Sequence, residues 1–142
     1  MRKHIICLFS ACFALFLAFS LAPTAEAAAF TDIEGHWNQA VIEKWSDSGI
    51  LNGYSDGTFR PNNPVTRGQL TEVLYRIHGS NPVKNPFVFK DVGKDLWCYD
   101  SISAMTLYGI TLNQDDKIYP DEPLTREEAF YMIAKTFSIG VD

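Results

Sequence analysis

Only three of the 142 residues are cysteine, and two of them, Cys7 and Cys12, fall in an N-terminal stretch that reads as a processing signal. With Cys98 alone remaining, no disulfide forms within the chain. The small cross-linked scaffolds common among exported proteins are therefore excluded, and an ordinary apolar core must hold the fold. Between Trp97 and Tyr99, Cys98 is expected as a small buried apolar group rather than a nucleophile. Beyond residue 29 there is no Gly-rich phosphate loop, no His-x-x-x-His and no Cys-x-x-Cys, and His36 and His78 stand apart. Nothing places a nucleophile, a base and an orienting group together, so no enzyme, cofactor or metal site is expected. The Asp- and Asn-rich loops also fail the helix-loop-helix calcium pattern. Counted from Asn52, the third position is Tyr54 and the last Asn63; from Asn113, the fifth is Lys117 and the last Leu124.

Positive charge is also scarce, with 12 Lys and Arg against 17 Asp and Glu. Loss of the leader removes two cations, Arg2 and Lys3, and one anion, Glu26, so the formal charge of −5 becomes −6. An acidic surface excludes sequence-independent binding to nucleic acid or anionic lipid.

The leader has a basic start at Arg2, Lys3 and His4, an apolar stretch from Ile5 to Ala22, then Pro23 and the small-residue run Thr24-Ala25-Glu26-Ala27-Ala28-Ala29. Residues 1–29 are expected as a secretory signal peptide cleaved after Ala27 or Ala29, leaving no transmembrane segment. A membrane anchor competes, since the stretch approaches the ~18–20 residues that span a bilayer. A lipid attachment at Cys12, after Phe9-Ser10-Ala11, competes less well because the apolar segment before it is short.

The rest of the chain aligns with itself. Phe30-Thr31-Asp32-Ile33 matches Phe89-Lys90-Asp91-Val92, Trp37 matches Trp97, and Gly49-Ile50 matches Gly109-Ile110. Pro61-Asn62-Asn63-Pro64-Val65-Thr66-Arg67 matches Pro120-Asp121-Glu122-Pro123-Leu124-Thr125-Arg126. Two modules, 30–78 and 89–139, flank a linker at 79–88 whose two prolines disfavour helix. Each module reads as helix, loop, helix, so the fold class is all-α. Trp37, Ala40, Val41, Ile42 and Trp45 keep helical spacing up to Gly49, as do Trp97, Ile102, Met105 and Tyr108 up to Gly109, and both stripes are expected in the core.

The second helices carry the clearest local signals. Thr66-Arg67-Gly68-Gln69 and Thr125-Arg126-Glu127-Glu128 have the form of capping boxes, with Val65 on Leu70 and Leu124 on Ala129 as hydrophobic staples. Leu70, Val73, Leu74 and Ile77 form one apolar face, echoed by Ala129, Met132, Ile133 and Phe137. Arg67 and Arg126 stand at the first helical position, where the helix dipole opposes a cation. Either each pairs with a nearby carboxylate, or each forms an anion site with the free N–H groups beside it. In the first loop, Asp56-Gly57 has turn chemistry and Tyr54 and Phe59 are aromatic anchors; Trp37 stands at the module's other entrance. Such aromatic faces, carboxylates and hydroxyls suit a sugar, although the rings equally serve to pin the loop to the core.

Taken in order, Phe30-x-Asp32-Ile33, Trp37, Gly49-Ile50-Leu51-x-Gly53-Tyr54-x-Asp56-Gly57-Thr58-Phe59-x-Pro61 and Val65-Thr66-Arg67 resemble the S-layer homology module of bacterial envelope proteins, over nearly the whole chain after the leader. The resemblance implies a secreted protein held non-covalently at the cell wall through a secondary cell-wall polysaccharide. An anionic group such as a pyruvate ketal would meet the Arg of the Thr-Arg motif, here Arg67 and Arg126. It further implies that Trp37, Gly53, Tyr54, Asp56 and Gly57 line a first sugar groove, with Trp97 and Arg126 in a second. The second loop, Asn113-Gln114-Asp115-Asp116-Lys117, lacks the Gly-Tyr-x-Asp-Gly pattern, so the first module is expected to be the better site. The family pattern continues Ala-Glu after Thr-Arg, where this chain has Gly68-Gln69 and Glu127-Glu128; Gly68 costs up to ~1 kcal/mol of helix stability relative to Ala.

The family groups three modules in a small helical bundle about a pseudo-threefold axis, so two modules leave the set incomplete. Either the two close on each other, or another chain supplies the missing face, or the chain is a fragment. A structural role, in which the modules bind another envelope protein or each other without any polysaccharide, stays open on the sequence.

Overall fold

A computed structural model describes residues 30–79, 83, 88–112 and 115–138. The expected signal peptide, most of the linker, and Asn113 and Gln114 lie outside the described residues. Those described form four helices and no strand: α1 (Gln39–Asp47), α2 (Arg67–His78), α3 (Tyr99–Leu107) and α4 (Arg126–Thr136). None is long and apolar enough to cross a membrane.

Both capping boxes form. Thr66 Oγ1 accepts from the Gln69 N–H at 3.3 Å while Gln69 Oε1 accepts from the Thr66 N–H at 3.0 Å. Thr125 and Glu128 repeat the exchange at 3.2 and 2.8 Å. These reciprocal bonds satisfy N–H groups that the helix itself leaves free. α1 and α3 lack a side-chain cap and begin two residues after the tryptophans that open their stripes. Positive φ at Gly49 and Gly109 turns the chain out of each.

The modules interlock. α2, from the first module, packs against both helices of the second. Leu74 is buried with Met105, Ile110 and Met132, and Leu70, Tyr75, Leu112, Leu124 and Tyr131 pack around them. A second cluster inside module two joins Phe89, Val92, Cys98, Ile102 and Ile118. Cys98 is fully buried, and loss of solvent pushes its thiol up to about 11. Backbone bonds stitch the modules at the helix starts: Arg67 N–H donates to Glu122 O, Gly68 N–H to Pro120 O at 2.8 Å, and Leu124 N–H to Val65 O. A Cβ on Gly68 would lie 3.0 Å from Pro120 O and 3.2 Å from Cys98 Sγ. The helix-weakening glycine is thus what lets the second module approach.

One expectation is corrected. The stripe on α1 is not core: only Ile42 is buried, while Trp37 is 87 % exposed, Val41 46 % and Trp45 40 %. α1 packs against none of the other three helices, whereas its counterpart α3 buries Ser101, Ile102, Ser103, Ala104 and Met105, with Met105 set beside Leu74 of α2. Trp97 and Tyr108, at the ends of the α3 stripe, are also exposed. Helical spacing marks an apolar face but does not say what covers it.

Candidate functional site

The loop of module one is built from its own polar groups. Asp32 accepts from the N–H of Phe59 and of Arg60, both at 2.7 Å. Arg60 has φ of 59°, a conformation that L-residues rarely adopt, and the carboxylate holds it there. The Phe59 and Arg60 N–H groups keep Asp32 below the usual carboxylate range. Module two repeats the clasp: Asp91 accepts from the Tyr119 N–H at 2.7 Å and from Ile118, and Tyr119 has φ of 55°. The Phe-x-Asp motif of the repeat is therefore a loop clasp, a role not legible from its spacing.

Within the loop, Asp56 is fully engaged. It accepts from the Thr58 hydroxyl at 2.6 Å and N–H at 3.0 Å and from Arg60 Nη2 at 2.7 Å. Thr58 first, then Arg60, holds its carboxyl down at about 2. Gly57, with φ of 80°, makes the turn, and its carbonyl accepts from the Thr31 N–H. A Cβ at Gly53 would collide with the Phe30 ring and Thr58 O, so Gly53 serves a close approach. The Arg60 guanidinium lies 4.0 Å from the Tyr54 ring centre, a cation–π contact. Tyr54 Oη accepts from Gln69 Nε2 at 2.8 Å, which ties the loop to the cap of α2.

Arg67 faces the other module. Nη2 donates to Glu128 at 2.6 Å and Nη1 to Glu122 at 2.9 Å, with 18 % of its side chain exposed. The Glu128 bond is the main cause raising its pKa. A cleft of about 510 Å³ opens there, lined by Arg67, Leu112, Lys117, Ile118, Tyr119, Glu122 and Glu128. Lys117 lies 5.5 Å from the Tyr119 ring centre. The sequence did not single out Lys117, Tyr119, Glu122 or Glu128 for this place, because Glu122 and Glu128 stand 55 and 61 residues from Arg67.

The eight candidate residues thus fall in separate settings. Gly53, Tyr54, Asp56 and Gly57 share the first loop, and Tyr54 reaches α2 through Gln69. Arg67 lies in the cleft between modules. Arg126 is exposed on the first turn of α4 and makes no ion pair among the described residues. Trp37 is exposed beside His36, 5.5 Å between ring centres, and Trp97 is 55 % exposed.

Comparison with known proteins finds two matches along the chain. The S-layer homology domain matches residues 29–71 and 88–130, together more than half of the chain. The chain is 34 % identical over 89 residues to cell surface glycoprotein 1 of Acetivibrio thermocellus, covering 62 % of this chain and 4 % of that protein. It is 35 % identical over 78 residues to the cellulosome-anchoring protein of the same organism, covering 54 % and 17 %. With the surface-layer 125 kDa protein of Lysinibacillus sphaericus it shares 29 % identity over 133 residues, covering 89 % and 11 %. The chain therefore spans less than a fifth of the length of these relatives. With both modules matched in sequence and alike in caps, clasps and turns, the chain belongs to the S-layer homology domain family.

Proposed function

We propose that this chain anchors to the bacterial cell wall by binding an anionic secondary cell-wall polysaccharide, one bearing carboxylates such as pyruvate ketals, in the cleft between its modules and beside Arg126. As a family member it is a cell-surface, wall-associated protein.

The observation that carries the reading is the arrangement around Arg67. Of its two partners, Glu128 is held by its own capping bonds, while Glu122 is 59 % exposed. An exposed ion pair contributes little, on the order of 0–1 kcal/mol. A sugar carboxylate can therefore replace Glu122 on Nη1 without disturbing Glu128, and a planar guanidinium suits that exchange. Lys117 adds a second cation and Tyr119 an aromatic wall. Arg126 offers the same guanidinium at the same helix position, open to solvent. The exposed indoles of Trp37 and Trp97 provide faces on which sugar rings stack.

The test is co-sedimentation with purified cell-wall sacculi, before and after chemical removal of their secondary polymer. Sedimentation should require the polymer, fall for Arg126→Ala, and rise or hold for Glu122→Gln, which frees Nη1. Equal sedimentation with stripped walls would overturn the reading. A second reading, in which the modules bind a protein surface, takes its support from the uncovered faces of α1 and α4.

A further inference from the structure

The repeat supplies a template for what those faces meet. By the alignment, α4 corresponds to α2 and α1 to α3. Within the chain α2 packs on α3, burying Leu74 against Met105, and Thr71 and Ser101 are fully enclosed. The corresponding residues on the outer sides are exposed: Phe130 for Thr71 is 72 % exposed and Ile133 for Leu74 36 %, while Phe137, 54 % exposed, takes the place of His78, which is itself exposed but stacks on Tyr108 at the end of α3, 4.5 Å between ring centres. On α1, Val41 stands for Ser101 and Trp45 for Met105, again exposed. Phe130 and Ile133 on α4 and Phe137, the residue that caps its C-terminus, fall on one face, and Val41 and Trp45 on one face of α1. Among the described residues, α4 thus presents an uncovered socket and α1 an uncovered plug.

We propose that two copies of this chain associate with α4 of each against α1 of the other, a self-complementary pairing that closes at the dimer. The substitutions fit a wider joint than the internal one. Inside the chain, Gly68 lets Pro120 approach the helix start; on α4 that position is Glu127, whose side chain holds the partner off. The contact is therefore carried further along α4, where large residues replace Thr71 and His78, and the plug enlarges in step from Ser101 and Met105 to Val41 and Trp45. A groove of about 640 Å³ lined by Leu112, Glu127, Glu128, Phe130, Tyr131 and Ala134 receives the indole of Trp45. Buried aromatic anchors of this kind dominate the energetics of protein interfaces. The pairing does not depend on polymer binding.

The experiment is sedimentation-equilibrium ultracentrifugation of the protein recovered after expression of the full-length chain. Wild type should show twice the mass of one chain. An α1 variant, Val41→Glu/Trp45→Glu, and an α4 variant, Phe130→Glu/Phe137→Glu, should each associate at least about tenfold more weakly, with wild-type helix content by circular dichroism. Mixed together, the two variants should form a heterodimer, because one α4 and one α1 remain intact and can meet. A wild-type monomer at every concentration would overturn the proposal. So would dissociation by the α4 variant but not the α1 variant, which means like faces pair, or a mixture that yields no heterodimer.

Discussion

The Arg67 guanidinium meets the Glu128 carboxylate at 2.6 Å, joining the first turn of α2 to the cap of α4. The cation that opposes the helix dipole in isolation is thereby neutralised by the other module. Removing it leaves Glu128 facing the cleft unpaired. Arg67→Ala should lower stability by about 1–3 kcal/mol, read from the urea midpoint. In the Glu128→Gln background the same substitution should cost much less, and equal losses in both backgrounds would refute the coupling.

Gly68 should be intolerant of even a methyl group. Alanine gains helix propensity, but its Cβ meets Pro120 O at 3.0 Å. That carbonyl belongs to a loop pinned by Asp91 and accepts from Gly68 N–H, so it yields little. Gly68→Ala should be net destabilising by about 1 kcal/mol, the low end of overpacking costs, in thermal or urea unfolding. Stabilisation would show that the second module shifts freely.

The half-buried Asp91 clasp should matter to stability. Asp91→Ala removes the acceptor for two N–H groups and frees a backbone held at positive φ, for an expected loss of about 1–3 kcal/mol. Adding Tyr119→Gly to that variant should restore part of the melting temperature, because glycine adopts the conformation without strain. No recovery would mean that the clasp does not restrain φ.

Acid should weaken the fold in a defined window. Asp32, Asp56 and Glu128 all titrate lower in the folded chain than their usual values of 3.8, 3.8 and 4.5. The folded state therefore binds fewer protons than the unfolded one as pH falls through that range. The stabilisation is complete above about pH 5 and is lost as pH drops toward the value of about 2 held by Asp56. Melting temperatures from pH 7 to 2 should fall most steeply below 4.5, and Asp56→Asn should flatten the lower part of the curve.

Cys98 should be chemically silent while the chain is folded. With its thiol buried and raised to about 11, reaction with a neutral alkylating agent at pH 8 should require unfolding. Rapid labelling of the native protein would contradict the packing of the second cluster.

Much of this was legible in the chain itself. The self-alignment marked two modules, Thr66 and Thr125 with their partners three residues on marked two helix starts, and Gly49 and Gly109 marked two exits, because each rests on contacts within a few residues. What was not legible depends on contacts across the repeat. Helical spacing marked Trp45 and Met105 as apolar alike, yet only Met105 is buried, since α2 reaches it and no helix reaches Trp45. Arg67 was balanced between ligand cation and ion-pair partner, and Glu122 and Glu128 lie too far along the chain for spacing to weigh them. Asp56 offered a free carboxylate in sequence, but Thr58 and Arg60 engage it.

The position of Leu74 places the boundary of the sequence repeat out of phase with the boundary of the folding unit. Its helix is written in the first module and does its packing in the second. Cutting the chain in the 79–88 segment, where the sequence looks most divisible, would strip α3 of its cover and leave α2 with an open apolar side. A gene rearrangement that copied one module alone would therefore part α2 from the two helices it packs against.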